Sequence, residues 1–221
     1  MSEKSSTPQA ALPRRSFLAQ AAPGVAIGAG AAITIPVARA QSVGGARWEP
    51  ARHEQDDWLE KIPGKHRMVF DTIDSNGMNS ALLYAGNYYT ANRTGYGLQN
   101  NDLAVVIIAR HFSTAYAYNE ALWAKYGDQL SNSADSTKPP SKTNPYARQL
   151  ATMTERGVHF AVCQMATGRI AGLIATAVGA ANADIVAEIS ANLLRNAHLV
   201  PAGIVAVGRA QDRGYALVNA G

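Results

Sequence analysis

Leu103-Ala104-Val105-Val106-Ile107-Ile108-Ala109 is apolar at seven consecutive positions. Successive side chains of a strand point to opposite faces, so a strand with one wet face alternates apolar and polar residues. An unbroken run asks for cover on both faces, as in a parallel sheet with helices packed above and below it. At this length the run is too short to cross a bilayer as a helix.

The rest of the chain offers the partners such a strand requires. Residues 66–74 read as a first strand, ended by Ser75-Asn76-Gly77, with Asn79 capping a helix through Ala81, Leu82, Ala85 and Tyr89. After the apolar strand comes a helix over 116–126. Residues 127–145 hold Pro139-Pro140 and many Ser, Asn, Asp and Lys side chains, which is the composition of an inserted polar loop or a lid. A helix over 146–156, a third strand over 158–163 and helices over 168–178 and 184–196 follow. A short strand over 197–200, a helix over 203–213 and a last strand over 215–218 complete the alternation. The expected fold is three-layer α/β, a mainly parallel sheet of about five strands with helices on both faces.

The first forty residues read differently. A polar start is followed by Arg14-Arg15-Ser16-Phe17-Leu18, a mild apolar run rich in Ala and Gly, and Ala38-Arg39-Ala40. The arginine pair resembles the signature of the twin-arginine export system, and the A-x-A ending suits a signal peptidase. Gln20, Pro23 and the glycines make this run a poor membrane span, so the expectation is a cleaved signal over 1–40, no stable membrane insertion and a periplasmic destination. A polar lead-in over 41–65 and one domain over 66–221 follow.

Export changes the charge argument. The chain has 20 basic and 16 acidic side chains, a formal +4. Residues 1–40 carry Lys4, Arg14, Arg15 and Arg39 against Glu3, leaving 16 basic and 15 acidic side chains, net +1, in the remainder. The case for a nucleic-acid partner goes with the signal.

In an open parallel sheet, ligands meet the carboxyl ends of the strands. Those positions hold Asp71, Asp74 and Asn76 after the first strand, Arg110 and His111 after the second, and Cys163 and Gln164 after the third. Cys163 is the single cysteine, so no internal disulfide forms. At the start of a helix a thiol meets a partial positive charge that favours thiolate, and Arg169 adds to it. The alternative is a small buried hydrophobe that finishes the strand. His111 is the candidate base; His159, inside a strand, reads as packed or solvent-facing rather than catalytic, and His66 and His198 have no visible partner. The spacing gives no zinc signature, phosphate loop or nucleophile elbow, so neither a metal nor a cofactor is expected.

Three blocks carry a resemblance: Gly157-Val158-His159-Phe160-Ala161-Val162-Cys163, His198-Leu199-Val200-Pro201-Ala202-Gly203-Ile204-Val205, and Arg209-Ala210-Gln211-Asp212-Arg213-Gly214-Tyr215. With Arg110-His111-Phe112-Ser113 they resemble the DsrE/DsrF-like sulfur-relay family, over roughly residues 66 to 219. The resemblance implies a flavodoxin-like fold, assembly as homo-trimers or hexamers, and a cysteine after the third strand that carries sulfur as a persulfide. Cys163 falls on that position, with His111 and Asp74 as candidate polar supports and a small sulfane-sulfur compound as donor. The competing expectation is a non-enzymatic oligomeric binding module in which Cys163 is buried and inert.

Overall fold

The computed structural model describes residues 49–221; the export signal expected over 1–40 and the first part of the lead-in lie outside them. Strands β1 (His66–Thr72), β2 (Leu103–Ala109), β3 (His159–Cys163), β4 (Ala197–Val200) and β5 (Ala216–Asn219) form one sheet. The order is β4-β3-β2-β1-β5, and every pairing is parallel.

Strand order decides where the helices lie. From β1 to β4 each crossover steps in the same direction across the sheet, and right-handed crossovers then put their helices on one face. Five helices build the larger layer: α2 (Ser75–Tyr96), α3 (Glu120–Ala134), α4 (Ala147–Glu155), α5 (Gln164–Val178) and α6 (Asn182–Ala191), with α1 (Trp58–Lys61) before β1. The step from β4 back to β5 runs the opposite way, so α7 (Gly203–Gln211) falls on the other face.

The core divides accordingly. Val105, Ile107 and Ala109 join Tyr89, Trp123 and Ile170 in the larger cluster, whereas Val106 and Ile108 join Leu59, Ile62, Ala206 and Ala210 in the smaller one. All seven residues of β2 are buried, which is what an unbroken apolar run requires. The fold is three-layer α/β, flavodoxin-like in architecture, with α7 and the α1 segment as the thin layer. No helix among the described residues is long and apolar enough to cross a membrane.

Three local expectations differ most from what is observed, besides helix ends that shift by a few residues, as where the helix expected over 184–196 is Asn182–Ala191. Helix α2 begins at Ser75 rather than after Asn79, because Asp74 caps it: the Gly77 amide donates to Asp74 Oδ1 at 2.7 Å. The helix expected over 116–126 is instead a 3-10 stretch, His111–Ala117, and then α3, whose cap is Asn119. The polar insertion expected over 127–145 is half helix, since α3 runs on to Ala134. The remainder folds back as a strap against α3: Ser141 N donates to Ser131 Oγ at 2.9 Å, and the buried Asn144 Nδ2 donates to Tyr116 O at 2.8 Å. Polar side chains here satisfy buried backbone rather than face water.

Candidate functional site

After β3 the chain turns into α5 on the thick layer; after β4 it turns into α7 on the thin one. Neighbouring strands whose continuations part to opposite faces leave a crevice at their carboxyl ends, where ligands bind in open α/β sheets. A cavity of about 250 Å³ opens there. One wall is Cys163, Met165 and Ala166; the facing wall is Ala202, Gly203 and Ile204. Arg110 and His111, which follow β2, and Arg169 of α5 complete it.

Cys163 ends β3 and is the N-cap residue of α5. Ala161 faces the smaller core, and the alternation of a strand sends Cys163 to the same side. Its side chain makes no capping hydrogen bond and is buried, with 7% of the residue exposed. As the N-cap residue, Cys163 sits at the positive end of the dipole of a 15-residue helix, whose first amides have no partner within the helix.

Arg110 supplies a full positive charge in the lining of the cavity. Its Nε and Nη2 donate to Asp71 Oδ1 and Oδ2, both at 2.8 Å. Those hydrogen bonds raise the Arg110 pKa above its usual value against the opposing effect of burial, and the charges of Asp71 and Cys163 add to the rise. Gly203 is what lets α7 start here. A Cβ on Gly203 would lie 2.5 Å from Arg110 Cβ and 2.9 Å from Cδ, too close for any side chain.

His111 has φ 53°, a left-handed backbone that costs a non-glycine residue about 1 kcal/mol or more. The turn is held from below: Phe112 N and Ser113 N both donate to Ile73 O, at 2.9 and 3.1 Å. The buried Thr72 and Ser113 hydroxyls lie 2.8 Å apart beneath it. On the other side, Tyr118 OH and Thr167 Oγ1 lie 2.9 Å apart and tie the end of the 3-10 stretch to α5. Burial pushes the Tyr118 hydroxyl pKa up, against that hydrogen bond, so it is a neutral strut.

Of the three expected site residues, Cys163 and His111 share the cavity. Asp74 does not: it caps α2 and lines a separate cavity with Asn76 and Ser133. The carboxylate at the crevice is Asp71, acting through Arg110. Gly203, Met165 and Ile204 were not singled out as site residues in the sequence; the one available signal was a glycine opening the helix after Pro201-Ala202. His159 and His198 do find partners, near the other end of β3. Their Nδ1 and Nε2 atoms lie 3.0 Å apart, and Trp58 stacks on His198 with ring centroids 4.0 Å apart. Among the described residues no group of three or more His, Cys, Asp or Glu side chains is placed to hold a metal ion.

The rim of the cysteine cavity is apolar and open: Met165 is 73% exposed, Ile204 63% and the adjacent Phe112 54%. The arrangement offers a buried thiol, a fixed cation and a histidine in a small, mostly apolar slot.

No family model matches the chain, and no curated protein matches it. Among solved structures it is similar to a protein of unknown function, MTH1491, from Methanobacterium thermoautotrophicum. The two share 17% identity over 70% of this chain and 99% of that one, with a TM-score of 0.40.

Proposed function

We propose that this chain is an exported sulfur-handling protein of the DsrE/DsrF-like kind that carries sulfane sulfur on Cys163. The observation that carries the reading is the place of its one cysteine: the β3–β4 crevice, beside the α5 N-terminus and within the field of Arg110. The resemblance of the blocks around Cys163, His198 and Arg209 supports it, and the twin-arginine-like start supports a periplasmic destination.

The step is a sulfur transfer between sulfur atoms. His111, or water, takes the thiol proton; the thiolate attacks the outer sulfur of thiosulfate, the S–S bond of the donor breaks, and sulfite leaves with its electron pair. The product is a Cys163 persulfide anion, and no external oxidant or reductant is consumed. Arg110 and the α5 amides hold the anionic donor and then the persulfide. The test is cyanolysis after incubation with thiosulfate or polysulfide and removal of the excess. Thiocyanate in proportion to protein from the wild type and none from Cys163→Ser supports the reading; equal release from both refutes it.

A second reading rests on the exposed Phe112, Met165 and Ile204 around a cysteine that is itself buried. In it the rim is a contact surface of a homo-oligomer, a trimer or hexamer, and the thiol is inert. Sedimentation of the full chain beside Phe112→Ser and Ile204→Ser variants separates the two: a stable oligomer that dissociates in the variants, with no labile sulfur, favours the second.

A further inference from the structure

A larger cavity, of about 360 Å³, opens at the same edge of the sheet beyond Phe112. The first turn of α2 contributes Asp74 and Asn76 to it, and the end of α3 contributes Asn132 and Ser133, with Asp135 following. Phe112 supplies an aromatic wall. The space is enough for a ligand of monosaccharide size with water around it.

The charges in this cavity are already compensated. Asp74 accepts from the Gly77 amide at the start of the 22-residue α2. Asp135 accepts from Thr137 N and Oγ1 at 3.2 and 2.6 Å and pairs with Lys138 Nζ at 3.0 Å; those hydrogen bonds lower its pKa. A phosphate would meet two carboxylates, and an organic cation would find both carboxylates already engaged, with Lys138 behind the lining Ser75 at 3.0 Å and the positive end of α2 facing it. A neutral ligand rich in hydroxyl groups fits better, because carboxylate and amide oxygens accept its protons while asparagine N–H groups and serine hydroxyls donate. The C–H face of a sugar ring matches the ring of Phe112, over which the Arg169 guanidinium already sits at 5.8 Å.

We infer that this cavity binds a small neutral carbohydrate of monosaccharide size. Asp74 and Asn132 read its hydroxyls and Phe112 takes its apolar face. The site is independent of sulfur chemistry but shares a wall with it: Arg169, which lines the cysteine cavity, donates to Ser133 Oγ at 3.2 Å, and Ser133 is buried in the polar one.

Saturation-transfer NMR of the full chain with glucose, N-acetylglucosamine and myo-inositol tests this, with inorganic phosphate and spermidine as controls. Saturable binding of at least one of the three neutral probes is expected, weakened tenfold or more in both Phe112→Ala and Asn132→Ala and unchanged in Cys163→Ala. Asn132 is exposed, so its variant keeps the test open if Phe112→Ala misfolds. Failure of all three neutral probes to bind at tens of millimolar overturns the inference. Unchanged binding in Asn132→Ala, or binding of phosphate or spermidine in their place, overturns it as well.

Discussion

Arg110 grips Asp71 with two parallel hydrogen bonds of 2.8 Å across the carboxyl ends of β1 and β2. The side chains are 18% and 9% exposed, so the pair is largely withdrawn from water. Removing one partner of such a pair leaves a poorly solvated charge. Asp71→Asn and Arg110→Ala are each expected to lower stability by about 2–3 kcal/mol. Urea unfolding measures this; a loss below about 0.5 kcal/mol would class the pair with ordinary surface ion pairs.

Two glycines in neighbouring helices should respond in opposite directions to alanine. A Cβ on Gly127 would lie 2.1 Å from the Ser141 carbonyl oxygen, so Gly127→Ala drives the strap off α3 at a cost of about 2–3 kcal/mol. Gly168, in the second turn of α5, has nothing within 4 Å of its added Cβ, and Gly168→Ala should stabilise by about 0.5–1 kcal/mol through backbone entropy. Thermal unfolding of both variants beside the wild type compares them directly.

Acid should act through the histidine pair. Burial first, and the neighbouring His159 second, lower the His198 pKa to about 4, and burial lowers that of His159. Both rings are therefore neutral in the folded protein at pH 7. The unfolded chain takes up the proton near the ordinary histidine value of about 6.5, so stability is present above that pH and drains away between about 6.5 and 4. With partial exposure allowed for, the His198 contribution is about 2 kcal/mol. His198→Phe, which keeps a ring against Trp58, should flatten the stability profile in that window; a wild-type profile already flat there would show that the pair does not resist protonation.

The fold was legible where burial constrains composition. Seven apolar residues in β2 demand two covered faces, and both are covered. Which helix covers which face follows instead from β5 pairing with β1, a long-range choice that no local pattern encodes. The segment 127–134 was misread because small and polar residues there are buried by another piece of chain, and composition does not distinguish a water partner from a backbone one.

The site was legible to the extent that topology gathers strand ends. Cys163 and His111 close β3 and the turn after β2, and adjacent parallel strands bring them to one cavity. Asp74 was misplaced because two residues beyond the end of β1 suffice to carry it into the cap of α2. The Asp71–Arg110 pair depends on register, Asp71 opposite Ile108, two residues short of the arginine. The His159–His198 pair likewise needed β3 and β4 to be aligned first.

The most direct measurement is the intact mass of the reduced protein after incubation with polysulfide, followed by peptide mapping. Addition of one sulfur atom, lost again on treatment with dithiothreitol and located on the peptide containing Cys163, is the expected result. A mass that does not change, or an addition that persists in Cys163→Ala, would contradict a sulfur-carrying thiol in the β3–β4 crevice.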